Sequence, residues 1–380
     1  MRRVIINNEY QKMKIGLNLL FIRSSTTGGS ATYAVNLVNA LSDVDKINHY
    51  VVYLNRNCKE IPLTLGRNFT KKIIPFSSKN PISRFFLEQV IFPFYFFNDN
   101  LDVIHSLGYH GPMFCRIPHI VSILDLNFIR HKNMPKTHGF FLGIMVRIMT
   151  RTARHIITIS EFSKREIVEN LNVLDKNVTA ILLSGSSDEK HTVSNINIRK
   201  IYSIKNNYII AFGSNGSHKN IDQLIHSYNE IRKTNHNIQL VLVGYQHKAS
   251  SLSTIVNDLN LNDDVIFTGF VPTEHVFHLI NQSKLFVFPS FYEGFGIPLL
   301  DAQASGIPIA SSNAGSLPEV GSTGCVYFDP TKTQEMTSVI KEILDSPALA
   351  DQLVSEGLKN RSRFSWNETA RQTLISYLEI

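Results

Sequence analysis

The sequence predicts an α/β protein made of two doubly wound, parallel-sheet domains, and three observations carry that expectation. Short runs rich in Ile and Val alternate with helix-like stretches from one end of the chain to the other. Several of these runs are apolar without strict alternation, as strands covered on both faces of a parallel sheet are. The stretch SGSSDEKHTVSNINIRK, Ser184 to Lys200, is polar, lacks apolar periodicity and falls midway, which marks a link between two domains. Ligands of such sheets sit at the carboxyl ends of the strands, here in the cleft between the domains.

The elements follow in order. MRRVIINNEYQK has no apolar core and no small-residue cleavage site, so residues 1–12 read as a dispensable extension and no signal peptide. MKIGLN then opens the first strand, Lys14 to Ile22. Further first-half strands are expected at Val51–Leu54, Asp102–Ser106, His119–Leu124 and His155–Ser160. ATYAVNLVNALS and SEFSKREIVENLN between them have helical periodicity; Ser160 is a plausible N-cap, with Ser163 and Glu166 at capping-box spacing. The second half repeats the theme in YIIAF, QLVLVG, VIFTG, LFVFPS, IPIASS and CVYF. The expected division is 13–188, 200–362 and a C-terminal helix, 363–380, packing back on the first domain.

At 380 residues, with 43% apolar and 18% charged residues, the chain has material for two buried cores. No segment approaches the ~18 uncharged apolar residues of a membrane span. FFLEQVIFPFYFF, Phe85 to Phe97, is short and contains Glu88, Gln89 and Pro93. Cys58, Cys115 and Cys325 stand far apart in no metal spacing, which points to a reducing cytoplasm. The net charge of +7 is uneven: residues 1–190 carry 24 Lys and Arg against 14 Asp and Glu, and residues 191–380 carry 14 against 17. The basic half suits an anionic membrane surface or a phosphate-bearing acceptor; a merely solvated basic surface is the plain alternative. No basic run is interleaved with stacking aromatics and no nucleic-acid motif is present, so nucleic acid is not expected as a partner.

Three glycine-bearing loops follow expected strands. Gly28-Gly29 precedes a helix, where backbone can approach an anion, although a simple turn pair is the readier explanation. AFGSNGSHKNIDQLI superficially resembles a P-loop, but Gly213 and Gly216 are wrongly spaced and His218 stands where the glycine belongs. Lys219, a cation near a helix start, is unfavourable against the helix dipole unless an anion is shared, which favours it as a phosphate ligand, with His218 a weaker one; a Lys simply solvated on the surface is the plain alternative. The third loop is FPSFYEGFGIPLLDAQASG. It fails as a dinucleotide fingerprint because Leu299 replaces the third glycine. Pro298 belongs in a first helical turn and Gly306 just past a helix end. Glu293 then faces the cleft, Asp301 lies one turn into the helix, and the amides of Gly294 to Leu300 lie between them. Amides and dipole suit a diphosphate, and flanking carboxylates suit sugar hydroxyls. A glycosidase-type acid pair, or an Asp301 that only complements the dipole, stays open on spacing alone.

These residues resemble the retaining glycosyltransferases of family 4, with the two-domain GT-B fold. YEGFGIPLLDAQASGIPIASSNAGSLPEV is similar to that family's E-x7-E region, and the likeness continues through CVYFDP to FSWNETARQTLISYL. GGSATYAVNL, DVIHSLGY, VSILDLNFIRH and IITISEFSKREI resemble the branch that adds mannose- or rhamnose-type sugars to bacterial surface polysaccharides. The resemblance implies transfer of a hexose or deoxyhexose from a nucleoside diphosphate sugar to a saccharide or lipid-linked saccharide acceptor. It implies Glu293 on the transferred sugar, Gly294, Phe295, Gly296, Ile297 and Leu300 around sugar and diphosphate, Asp301 on the ribose and Lys219 on the phosphates. Gly28 and Gly29 join them, and Phe270 and Val271, in GFVP, stand in the base-contacting loop. The chain departs from the pattern in three places. Asp301 replaces a Glu; the arginine that accompanies the phosphate lysine is absent, Ser214 and His218 standing in its places; and Leu124 replaces a His, leaving Asp125 beside it as the candidate first-domain contact. No Asp-x-Asp pair ends a strand, so neither metal nor cofactor is expected. A sugar-nucleotide epimerase or hydrolase, and a silent sugar-nucleotide-binding partner, are the competing readings. SRFFLEQVIFPFYFF and MVRIMTRTARH, the latter with Arg147, Arg151 and Arg154, read as a core helix and an amphipathic helix or as docking elements for an anionic membrane.

Overall fold

A computed structural model of the protein describes residues 12–22, 28–58, 60–75, 81–130, 136–186, 196–213, 216–244 and 251–380. All but the last residue of the 1–12 extension, the middle of the polar link (187–195) and Ser214 lie outside these residues. Among the described residues thirteen strands form two parallel sheets. The first contains β1 (Lys14–Asn18), β2 (His49–Asn55), β3 (Phe69–Ile74), β4 (Val103–Ser106), β5 (His119–Ser122), β6 (His155–Thr158) and β7 (Val178–Ala180). The second contains β8 (Asn207–Phe212), β9 (Ile238–Val243), β10 (Val265–Phe267), β11 (Leu285–Phe288), β12 (Ile309–Ser312) and β13 (Val326–Phe328). Buried Ile, Val and Leu line both faces of the central strands, which explains their unbroken apolar runs.

Every run read as a strand lies in one of the two sheets. β3 and β7, the edges of the first sheet, were not foreseen. β3 reads FTKKII, with Lys71 and Lys72 on a half-exposed strand, and β7 has only three residues. Lysines and short length blunt a sheet edge against stray pairing, and the same devices erase its apolar signature.

Strand order fixes where a ligand can sit. The first sheet runs β3-β2-β1-β4-β5-β6-β7 and the second β10-β9-β8-β11-β12-β13. Each order reverses once, between β1 and β4 and between β8 and β11, and the loops leaving those strands diverge to open a crevice. Residues 74 positions apart, Lys219 after β8 and Glu293 after β11, therefore meet.

The last helix, Trp366–Leu378, packs against the helix Gly29–Val44 of the first half. Its Tyr377 hydroxyl bonds His105 Nδ1 at 2.7 Å, and the Trp366 indole N–H donates to the Gly185 carbonyl at 2.7 Å. His105 Nε2 and the Tyr33 hydroxyl both reach Ser122 Oγ at 2.8 Å. Burial lowers the His105 pKa to about 3, with His119 and His155 adding to the effect, so the ring is neutral and this network is held by hydrogen bonds alone.

Candidate functional site

The β8–β11 crevice is built by two loops stitched to each other. Asn220 sits in the left-handed region, φ 56°, a conformation that asparagine tolerates. Its side-chain amide donates to the carbonyls of Pro289 at 3.0 Å and Pro330 at 2.8 Å. Next to it, the His218 carbonyl accepts the Phe291 N–H at 2.7 Å. Lys219 is thereby aimed at Glu293: Nζ donates to Oε1 at 2.7 Å, and the Ser290 hydroxyl donates to the same oxygen at 2.7 Å. The two side chains are 20% and 14% exposed, and the ammonium also lies 5.6 Å from the centre of the Phe288 ring.

The Glu293 backbone is fixed from below. Its carbonyl accepts the Ser316 N–H at 3.2 Å and the Ser316 hydroxyl at 3.0 Å. Gly315, at φ 64°, runs beneath it so closely that a Cβ there would lie 2.6 Å from that carbonyl oxygen. Gly315→Ala is expected to lower turnover about tenfold and to cost about 1–2 kcal/mol of stability, from the left-handed backbone and the displaced Glu293 loop together. Steady-state rates and a thermal melt check this; an unaltered rate would show that the exact seat of Glu293 is immaterial.

Across the cleft stands Asp125, in the loop after β5. The glycine turn after Glu293 exists in part to admit it: a Cβ on Gly294 would fall 2.7 Å from Asp125 Cβ and 3.0 Å from Oδ2. Asp125 Oδ1 accepts the Asn127 N–H at 3.0 Å. The carboxylate also accepts from the Tyr109 hydroxyl, which in turn bonds Ser30 in the first turn of the Gly29–Val44 helix. Burial, with Glu293 and Glu166 as neighbouring negative charges, pushes the Asp125 carboxyl up to about 6, although Asn127 and Tyr109 pull the other way. Gly28 and Gly29, at the start of that helix, have nothing within 4 Å of where a side chain would stand.

Comparison with known proteins decides what this crevice belongs to. Residues 27–182 match the family model described as Glycosyltransferase Family 4, and residues 194–360 match that described as Glycosyl transferases group 1. The chain belongs to the glycosyltransferases. An O-antigen chain mannosyltransferase B of Escherichia coli is 28% identical over 280 residues, 71% of this chain and 73% of the relative. The serotype-specific mannosyltransferase WbdA of the same organism is 28% identical over 265 residues, which are 67% of this chain and 32% of that longer protein. Among solved structures, Anabaena HepE in complex with UDP-glucose superposes with a TM-score of 0.73 at 17% identity, covering 97% of this chain and 100% of that one. The fold of the glycosyltransferase is GT-B.

Not every candidate residue of the glycosyltransferase gathers at Lys219 and Glu293. Gly296, at φ 100°, is the N-cap of the helix Ile297–Ala304 and lets the chain turn sharply into it. Phe295, Leu300 and Val271 are buried core side chains, 3%, 0% and 8% exposed, so only their backbone can meet a ligand. Phe270 is 67% exposed on its loop, and the His218 ring folds over Gly216. Leu124 is buried, leaving Asp125 as the polar group of that loop.

Asp301 faces the hinge between the domains. Its Oδ1 accepts the Ser186 N–H at 2.7 Å and its Oδ2 the Ser186 hydroxyl at 2.6 Å. Gly185 allows this approach, since a Cβ there would stand 2.6 Å from Oδ1.

Several interdomain contacts escaped the sequence reading. The Tyr292 hydroxyl donates to Glu166 Oε2 at 2.6 Å and accepts the Leu126 N–H at 3.1 Å. Glu166 thus serves Tyr292 in place of a capping box, while Ser160 does cap its helix, accepting the Ser163 N–H at 3.0 Å. The Ser160 hydroxyl also donates to the Gly294 carbonyl at 2.7 Å. Glu319 reaches over to accept the N–H groups of Glu161 and Phe162 at 2.9 and 3.0 Å, an acid on a helix N-terminus of the other domain. These bonds clamp the domains with Asp125 and Glu293 on facing walls.

Proposed function

We propose that the enzyme moves a hexose or deoxyhexose, mannose foremost, from a nucleoside diphosphate sugar to a growing lipid-linked oligosaccharide or surface polysaccharide of the O-antigen or capsule type, with retention of anomeric configuration. The observation that carries this reading is the Lys219–Glu293 pair at the β8–β11 reversal, beside the first turn of the Ile297–Ala304 helix. A cation and the helix amides favour the leaving diphosphate, and the adjacent carboxylate favours sugar hydroxyls. Before the donor arrives each charged group holds the other in place; the donor's phosphates and hydroxyls then take over the two halves of the pair. Charge on the leaving group is met by Lys219 and backbone amides, with no metal ion in the scheme. The relatives' names, mannosyltransferases of O-antigen chains, support the sugar and acceptor class.

A second reading, a catalytically silent sugar-nucleotide binder, is favoured by Leu124 where the resemblance places a histidine. One experiment separates the two. Thermal stabilisation is measured across GDP-, UDP-, dTDP- and ADP-sugars, and the stabilising donor is then incubated with lipid-linked and free saccharide acceptors. Stabilisation by one donor and transfer to an acceptor are expected. Stabilisation without transfer would favour the silent binder, sugar isomer formed without acceptor an epimerase, and free sugar at full rate a hydrolase. No stabilisation by any donor would overturn the proposal.

A further inference from the structure

We propose that an exposed phenylalanine stripe on the first domain, flanked by arginines, is the face by which the enzyme sits on an anionic lipid bilayer; this rests on the reading of the acceptor as lipid-linked. The helices Pro81–Val90 and Phe92–Phe97 run on from one another, since Ile91 between them has helical dihedrals and its N–H bonds the Leu87 carbonyl at 2.9 Å. Along them Phe86, Val90, Phe94 and Phe97 are 62%, 43%, 69% and 46% exposed. Their spacing of four, four and three puts them on one face. The opposite face is anchored: Phe92 and Phe96 are fully buried, and buried Glu88 accepts from Asn18 at 2.8 Å and pairs with His110 at 2.9 Å. The stripe is therefore held outward by a face that is already packed.

Neighbouring elements extend it. The Phe85 ring meets Phe141 edge-on at 5.2 Å, bringing up the helix Lys136–Thr152. On that helix Phe140, 72% exposed, shares its face with the exposed Arg147 and Arg151, seven and eleven residues on. Gln89 ties in the loop carrying Phe114, 89% exposed, through bonds to the Gly111 carbonyl at 2.9 Å and the Met113 N–H at 2.7 Å. Arg116, two residues further, is exposed as well.

The charge pattern selects the occupant. Among the described residues from 85 to 154 one exposed acid occurs, Asp102, and it accepts the Lys14 N–H at 2.8 Å. Aromatic side chains ringed by arginines match the interfacial zone of a bilayer with anionic headgroups, where rings bury and guanidinium groups meet phosphate. Large apolar side chains clustered on one exposed face, rather than scattered singly, mark an interaction surface. Its place also fits: Glu88 binds Asn18 at the carboxyl end of β1 and His110, the residue after Tyr109, which contacts Asp125. The helix that bears the stripe thus packs beside the loop carrying Tyr109, the neighbour of Asp125, on the domain expected to receive the acceptor.

The test is co-sedimentation of the full chain, without donor or acceptor, with vesicles of phosphatidylcholine alone or with roughly one-third phosphatidylglycerol, at low and high salt. Binding to the anionic vesicles at low salt is expected, weakened by salt. It should fall at least ~10-fold in Phe94→Ser/Phe97→Ser, whose rings lose their apolar burial, and also in Arg147→Glu/Arg151→Glu. All four positions are exposed, and a thermal melt of each variant, with and without the stabilising nucleotide sugar, shows whether fold and donor site are intact. No vesicle binding, or binding unchanged in both variants, overturns the proposal. A dimer in sedimentation velocity that dissociates on Phe94→Ser/Phe97→Ser would also overturn it, by giving the face to a second copy of the chain. Donor stabilisation is read separately, so its absence fails the transferase reading and leaves the vesicle result to be judged by itself.

Discussion

Lys219→Ala and Glu293→Gln are each expected to lower turnover at least ~100-fold, because each removes a preorganised charge from the place where the leaving diphosphate or the sugar becomes most charged. The effect should fall mainly on kcat. In the resting structure the two groups satisfy each other at 2.7 Å, so binding a donor exchanges one set of contacts for another. The gain comes when negative charge builds on the leaving group. Stability should fall as well, by about 1–3 kcal/mol, because the pair is mostly buried and each variant leaves the other side chain without its charged partner. Glu293→Gln keeps an oxygen for the Ser290 hydroxyl and removes the charge, which separates charge from shape. Steady-state kinetics at saturating donor, with a thermal melt of each variant, give the answer. Wild-type kcat in either folded variant would take that residue out of the chemistry.

How much of this was legible beforehand follows from what each signal rests on. The sheets were readable because their central strands are buried on both faces and so carry unbroken Ile and Val; β3 and β7 lack that burial and were invisible. Lys219 and Glu293 could be singled out one at a time, each by a local oddity: a cation at a helix start and an acid before a glycine turn. That they touch depends on the reversal of strand order between β8 and β11, a property of the whole sheet. The glycines had two uses that spacing could not separate. Gly296 serves a backbone angle and Gly315 both an angle and the close approach of the Glu293 backbone, whereas Gly185 and Gly294 admit a carboxylate from elsewhere in the chain. Asp301 shows the limit most clearly. Its position in the motif points to a ribose, and the structure adds a partner that no spacing announces: both its oxygens accept from Ser186 at the hinge. Tyr292, Glu166 and Glu319 were unreadable for the same reason, since their partners lie more than a hundred residues away in the other domain.

Asp125→Asn is expected to raise stability and lower activity at the same pH, and that opposition of signs is what makes it informative. The folded carboxyl is pushed up to about 6 from an ordinary value of 3.8. A folded pKa above the unfolded one means the native state binds the proton more tightly. Its stabilising contribution is therefore complete below pH ~4 and is lost as pH rises through 6, a difference of about 2–3 kcal/mol. Asparagine carries no charge to bury and can still accept the Asn127 N–H, so the variant should melt higher than the wild type at pH 7.5 and show a flatter profile between pH 4 and 7. Turnover should move the other way, falling about 100-fold at pH 7.5 if the carboxylate facing Glu293 accepts from a sugar hydroxyl as charge develops. Wild-type activity should then decline on the acid side with an apparent pKa near 6. Glu293→Gln should move that limb to lower pH, because the Glu293 charge is one of the causes that hold the Asp125 pKa up. A more stable Asp125→Asn enzyme with undiminished turnover would assign Asp125 to structure alone, as the partner of Tyr109 and the stop against which Gly294 closes.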